Sequence, residues 1–169
     1  IIGIEPHRDS LDQAEENLKS TAKRLSVDLT FHPIPKMFEE FDQHDWAELN
    51  RYASKLIINE AFAFHHIRDI GEHAGMRDEI LSRLFRLKPV AFVLSEPHSD
   101  HHSDDLWQRF QNSWKHYNLV FDYIDELVSI SAKDTNLIKI HFFGREIEDV
   151  LGNSEENRSE RHEFIHSWI

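Results

Sequence analysis

The chain has 169 residues, enough for one domain with a hydrophobic core, and its 40 % apolar and 30 % charged residues exclude a disordered chain. The formal charge is −12, from 19 basic and 31 acidic residues, which leaves no basic footprint for a phosphate backbone and argues against direct nucleic-acid binding. Cysteine is absent, which removes disulfides, thiolate nucleophiles and thiolate zinc sites, and suits a reducing cytoplasm.

In chain order, Ile1–Glu5 reads as a short β-branched strand stopped by Pro6. Ser10 and Gln13 have capping-box spacing, and Leu11, Ala14, Leu18, Ala22 and Leu25 then make one helical apolar stripe. A second strand is expected over Val27–Phe31, ended by His32-Pro33, and a short helix over Asp45–Tyr52. Lys55–Asn59 reads as a third strand with both faces covered. A helix over Arg77–Leu87 turns Ile80, Leu81 and Leu84 inward, and Pro89–Ser95 is the fourth strand. A long helix over Asp104–Leu127 carries Leu106, Phe110, Trp114, Tyr117, Phe121 and Ile124 on one stripe, with Trp107, Trp114 and Tyr117 read as core. Lys133–Leu151 is expected to be the last helix, ended at Gly152-Asn153, and Ser154–Glu163 a polar loop. The longest apolar runs, Leu56–Ile58 and Pro89–Leu94, fall far short of the ~20 residues of a membrane span, and no signal peptide is visible.

This order of strands and helices implies an α/β fold, a mostly parallel sheet with helices on both faces, over residues 1–169 as one domain segment. Ligands in such sheets bind beyond the carboxyl ends of the strands. Glu5 follows the first strand and could accept hydrogen bonds from a ribose; the competing reading is a solvated acid at a strand end. Asn59-Glu60-Ala61-Phe62-Ala63-Phe64-His65-His66 follows the third strand, and Glu96-Pro97-His98 the fourth. The cluster His98, Asp100, His101, His102, Asp104, Asp105 invites a metal, but a metal site needs ligands on a stable frame, so an exposed polar loop is the better reading and no metal is assigned.

The stretches IINEAFAFHHIRD and RDEILSRLFRLKPVAFVLSEP resemble the fourth and fifth strand segments of class I methyltransferases. A closer resemblance, over nearly the whole chain, is to the GRAS family. It rests on IIGIEPHRDSLDQAEENLKSTAKRLSVDLTFHPI, on LSEPHSDHHSDDLWQRFQNSWKHYNLVFDYIDEL, and most specifically on FFGREIEDVLGNSEENRSERHEFIHSWI. The last holds Arg145-Glu146-Ile147, Arg158, Glu160-Arg161-His162-Glu163 and Trp168. The resemblance implies a Rossmann-like methyltransferase fold and an internal or C-terminal segment of a bacterial-type member, with the family's first strand, glycine loop and last strands outside this chain; the start at Ile1 without Met agrees with an excerpt.

It further implies S-adenosylmethionine as cofactor and methyl transfer to a small-molecule substrate in the cytoplasm. Glu5, Ile34, Asn59 and Phe62 would bind the cofactor, Glu60 and His65 would act in catalysis, and His66, Glu96, His98 and Arg145 would meet the substrate. For Ile34 and Phe62 ordinary core packing is the rival reading. Arg145, Glu146, Arg158, Glu160, Arg161 and Glu163 are expected to form a structural ion-pair network, with Arg145 or Arg161 gripping a substrate carboxylate as the alternative. The second functional reading is a non-catalytic GRAS-type module that senses a ligand or binds proteins in transcriptional regulation. No membrane and no direct nucleic-acid contact is expected, and a homodimer or a protein partner stays open.

Overall fold

In a computed structural model, which describes residues 1–127 and 130–168, the chain divides into two units. Each is built on its own pair of short parallel strands. The first unit comprises residues 1–56 and 80–89, the second residues 57–79 and 90–169.

In the first unit, β1 (Ile2–Ile4) pairs in parallel with β2 (His32–Ile34). The second strand thus falls on His32–Ile34, not on Val27–Phe31, and Val27 is exposed. The ladder tolerates Pro33. The His32 N–H donates to the Ile1 carbonyl at 2.8 Å, and alternation along the strand turns the position after it away from β1, where no N–H is needed. Between the strands runs α1 (Arg8–Leu25), which starts two residues before the expected Ser10 cap. His7 occupies the cap without a side-chain hydrogen bond, so the Ser10–Gln13 capping box is not formed. Leu11 and Ala22 are buried from its stripe, whereas Leu25, in the last turn, is exposed. Gly3 is required for close packing: a Cβ there would lie 2.6 Å from the Phe31 ring and 3.1 Å from Leu11. The short helix α2 (Gln43–Asn50) is fixed by Asp42, whose carboxylate accepts from the His44 and Asp45 N–H groups. Asp45 in turn accepts from the Asp42 N–H and from Lys36 Nζ at 2.6 Å.

In the second unit, β3 (Ile57–Ala61) pairs in parallel with β4 (Ala91–Ser95). The expected covering of both strand faces is not found: Ile57 and Val93 are exposed while Glu60 is buried. Helix α3 (Met76–Arg86) begins in this unit and continues into the first, where it buries Ile80 and Leu84 as the periodicity requires. Asp105 caps α4 (Leu106–Glu126) by accepting the Trp107 N–H at 2.8 Å. The buried face of α4 is Arg109, Ser113, Tyr117 and Ile124. Leu106, Trp107, Phe110 and Trp114, expected inside, are exposed. The last helix is one run, α5 (Ala132–Leu137), a π-helical turn (Ile138–Phe143) and α6 (Gly144–Gly152). No helix among the described residues is long and apolar enough to cross a membrane.

Candidate functional site

The polar loop after α6 turns inward. Arg158, Glu160, Arg161 and His162 are all buried, against the usual surface course of a connecting segment. Buried charge needs partners, and the two arginines find theirs in Glu155. Arg161 Nη1 reaches Glu155 Oε1 at 2.7 Å, its Nε donates to the Arg158 carbonyl at 3.0 Å, and Arg158 pairs with Glu155. Glu163 pairs with Arg77 and lies 3.3 Å from His102 Nε2, and Arg77 stacks 5.1 Å from the Trp168 ring centre. Asp149 accepts the N–H groups of Ser159 and Glu160 at 2.8 and 2.7 Å and so pins the loop to the end of α6. Arg109, from α4, donates to the carbonyls of Val150, Ser103 and Asp104. The expected ion-pair network therefore exists with different pairs, since Glu155 and Arg77 replace Arg145 and Glu146 as partners.

Against this loop stands the turn that follows β3. Glu60 Oε1 accepts the N–H groups of Ala63 and Phe64 at 2.6 and 3.1 Å, and Glu96 Oε1 accepts those of Phe64 and His65 at 2.7 and 3.3 Å. Two strand-end carboxylates thus clamp the single turn Phe64–His66. Glu96 Oε2 takes His65 Nδ1 at 2.6 Å, which orients the imidazole and leaves Nε2 facing Glu160 Oε2 at 3.3 Å. His162 Nε2 comes to the same oxygen at 3.3 Å. Around this point the rings crowd: His65–His66 centres are 3.9 Å apart, His65–His162 4.4 Å, His101–His162 4.6 Å and His116–His162 5.5 Å.

Burial opposes the charge of His65, but the carboxylates of Glu160 and Glu96 lift its pKa to about 9. Burial also opposes the charge of Glu160, yet His162 and His65 hold it well below the usual carboxylate range. Burial lowers His101 strongly, lowers His162, and takes His116 to about 4. Glu60 and Glu146 are pushed up to about 7, mainly by burial. Tyr117 donates to Glu146 Oε2 at 3.2 Å, and burial raises the phenol. The center is therefore a buried cluster of titratable groups in which Glu60 Oε2, Glu160 Oε2 and His162 Nδ1 have no hydrogen-bond partner.

Of the residues singled out in the sequence, Glu60, His65, His66 and Glu96 are brought together here. His98 is exposed, bridges to Glu163 and accepts the Ile165 N–H at 3.1 Å. Asn59 is exposed on β3, and Arg145 is exposed on α6. Phe62 is exposed and held in the left-handed backbone region at φ 58°, its N–H donating to the Ser95 carbonyl. Glu5 and Ile34 belong to the first unit, where Glu5 Oε1 accepts the His7 N–H at 3.0 Å. The loop expected to be exposed contains His101, which is fully buried, its Nε2 2.9 Å from Ser99 Oγ. His162 stands in the family-like stretch Glu160–Glu163 but was given no site role from the sequence. The signal was Glu160-x-His162, a spacing that puts both side chains on one side of an extended segment.

Outside the polar center, α4 displays a second feature. Trp107 and Trp114 are each 64 % exposed and Phe110 39 %. Trp107 stacks on Phe110 at 5.5 Å and Phe110 on Trp114 at 6.3 Å. Leu106, Trp107, Phe110 and Leu151 line an open depression of about 560 Å³.

Comparison with known proteins supplies the family. The family model for the GRAS domain family matches residues 1–169. Scarecrow-like protein 28 of Arabidopsis thaliana is 27 % identical over 168 residues, 99 % of this chain and 25 % of that protein. DELLA protein RGL3 of the same plant is 22 % identical over 167 residues, covering 99 % and 31 %. Scarecrow-like transcription factor PAT1, also from that plant, is 24 % identical over 152 residues, covering 89 % and 31 %. A crystal structure of SCL7 in Oryza sativa shares the fold, with a TM-score of 0.78 at 20 % identity over 99 % of this chain and 47 % of that one. The chain spans about a quarter to a third of the length of these curated relatives. It belongs to the GRAS domain family.

The relatives also correct the functional expectation. They are named as Scarecrow-like, DELLA and transcription-factor proteins, not as enzymes, which overturns the reading as an S-adenosylmethionine-dependent methyltransferase. They are plant proteins and lend no support to a bacterial-type member.

Proposed function

We propose that this chain is part of a non-catalytic transcription-regulatory module that works by binding another protein. The observation that carries the reading is the exposed aromatic row of α4, Trp107, Phe110 and Trp114, beside the depression shared with Leu151. Large aromatic side chains in contact with water on one helix face are the composition of a binding hot spot, not of a solvated surface. The partner is a helix with an apolar stripe and flanking lysine or arginine, which complements a chain of charge −12. The same charge keeps this segment off DNA, so contact with a promoter runs through the partner. Work in the nucleus, in place of the cytoplasm, follows from that role. The paired parallel strands and their helices serve in this reading as a scaffold.

The test is a fluorescence-anisotropy titration of the full-length protein with two labelled amphipathic helical peptides of identical apolar stripe, one flanked by lysine and one by glutamate. The lysine peptide is expected to bind, to lose most of its affinity in Trp107→Ser, and to outbind the glutamate peptide. Equal binding of the two, or binding untouched by Trp107→Ser, overturns the reading.

A further inference from the structure

We propose that His65 Nε2, His162 Nε2 and Glu160 Oε2 form a binding site for a divalent transition-metal ion of the zinc class. The three residues are 4 %, 2 % and 8 % exposed, and their donor atoms all lie within 4.8 Å of one another. The inference is independent of the aromatic face and of the partner proposed for it.

Several features of the site point the same way. The two imidazole nitrogens each stand 3.3 Å from Glu160 Oε2, and that oxygen makes no hydrogen bond. A tetrahedral ion with arms of about 2.0–2.1 Å separates neighbouring donors by roughly 3.3–3.4 Å, so the spacing is that of a tetrahedral edge. His65 Nδ1 is engaged by Glu96 at 2.6 Å, which leaves Nε2 as the ring atom that faces the Glu160 carboxylate. The Glu96–His65 bond is the carboxylate–imidazole arrangement that orients a metal ligand and raises its basicity. The frame is rigid at each ligand. His65 sits in a turn clamped by Glu60 and Glu96, Glu160 is held through its N–H by Asp149, and the His162 carbonyl accepts the His101 N–H at 2.9 Å.

Nitrogen and oxygen donors without a thiolate suit Zn²⁺ over soft ions, and two imidazoles disfavour Mg²⁺ and Ca²⁺. The fourth position falls to water or to His66, whose Nδ1 is 3.6 Å from Glu160 Oε1. The other trio with ligand spacing among the described residues, Asp42, His44 and Asp45, is committed to capping α2 and to Lys36. A closed, buried site of this kind is structural: it would tie the loop after α6 to the turn after β3, and so secure the helix that ends beside the aromatic depression.

The experiment is calorimetry on the full-length protein, prepared without a histidine tag and stripped with chelator, titrated with ZnCl₂ and separately with MgCl₂. The expected result is one saturable zinc step per chain and none with magnesium. The step disappears in His162→Gln and in Glu160→Gln. It weakens about 10–100-fold in Glu96→Gln, which loses the orienting charge but no ligand. It persists in His116→Gln, whose ring is near His162 but outside the ligand set. Absence of a zinc step in the folded wild-type protein overturns the proposal, as does wild-type binding by His162→Gln. If the ligand variants fail to fold, X-ray absorption of the zinc-loaded wild type decides: a four-coordinate shell with two or three imidazoles supports the site, and a six-coordinate or single-imidazole shell refutes it.

Discussion

The first half of α4 departs from an ordinary amphipathic helix, while farther along Tyr117 and Ile124 are buried in the ordinary way. Inside lie Arg109, Ser113 and Tyr117; outside lie Trp107, Phe110 and Trp114. An amphipathic helix of a water-soluble domain hides its aromatics and shows its charge. Here the inward face holds other segments through hydrogen bonds, Arg109 to three carbonyls and Tyr117 to Glu146. Hydrogen bonds fix the path of the chain more uniquely than apolar contact does. In the second unit, then, polar pairing holds the inward side of α4 beside an apolar core of Phe64, Ile67 and Val150, while Trp107, Phe110 and Trp114 are exposed on the other side. The inward groups should govern stability and the outward groups recognition.

The largest effect that would break this division is on the inward side. Arg109→Ala should cost about 3 kcal/mol in urea unfolding, because the carbonyls of Val150, Ser103 and Asp104 lose their buried donor. A cost near zero would mean that the polar face is incidental.

Next comes Glu146. Its folded pKa of about 7 lies above the ordinary 4.5, so stability falls as pH rises between those values. The penalty is complete above about 7 and absent below 4.5, where the folded and unfolded states both carry the neutral acid. Glu146→Gln should therefore stabilise chelator-treated protein at pH 8 by about 1 kcal/mol, allowing for partial exposure, and change nothing at pH 4. Thermal melts at the two pH values check the sign.

A change of similar size in the first unit, Asp42→Ala, should cost about 1 kcal/mol by removing the α2 cap, and leave peptide binding intact. Smallest in stability is Trp107→Ser on the outward face, at most about 0.5 kcal/mol by calorimetric melting, since the ring is already in water. A loss of several kcal/mol there would show that the aromatic row is covered by the protein's own chain.

The helices α1, α3 and α4 were legible because their apolar residues recur at three and four, and β1, β3 and β4 were found within two residues. Parallel pairing followed from the alternation of strands and helices. The second strand was misplaced because β-branched Val27 and Thr30 outweighed the signal of Pro33, whose tolerated place is set by its neighbour strand. The stripe on α4 was misread because Leu106, Phe110 and Trp114 share a face with the spacing of a core, and period alone does not say which face is inside. The polar center was half legible. His65, His66, Glu60 and Glu96 stand at strand ends, where ligand sites gather, but Glu160 and His162 reach them from a loop far along the chain, beyond any local pattern. The loop itself looked solvated, since nothing in its composition reveals that its charges are paired indoors.

The most direct test of the central claim is a transcriptional reporter driven by the full-length protein fused to a heterologous DNA-binding domain, comparing wild type with Trp107→Ser/Trp114→Ser at matched protein level and matched circular dichroism. The account predicts that the double variant shifts reporter output several-fold toward that of the DNA-binding domain alone. Output equal to wild type would contradict it, and would move the function of the chain away from the aromatic face of α4.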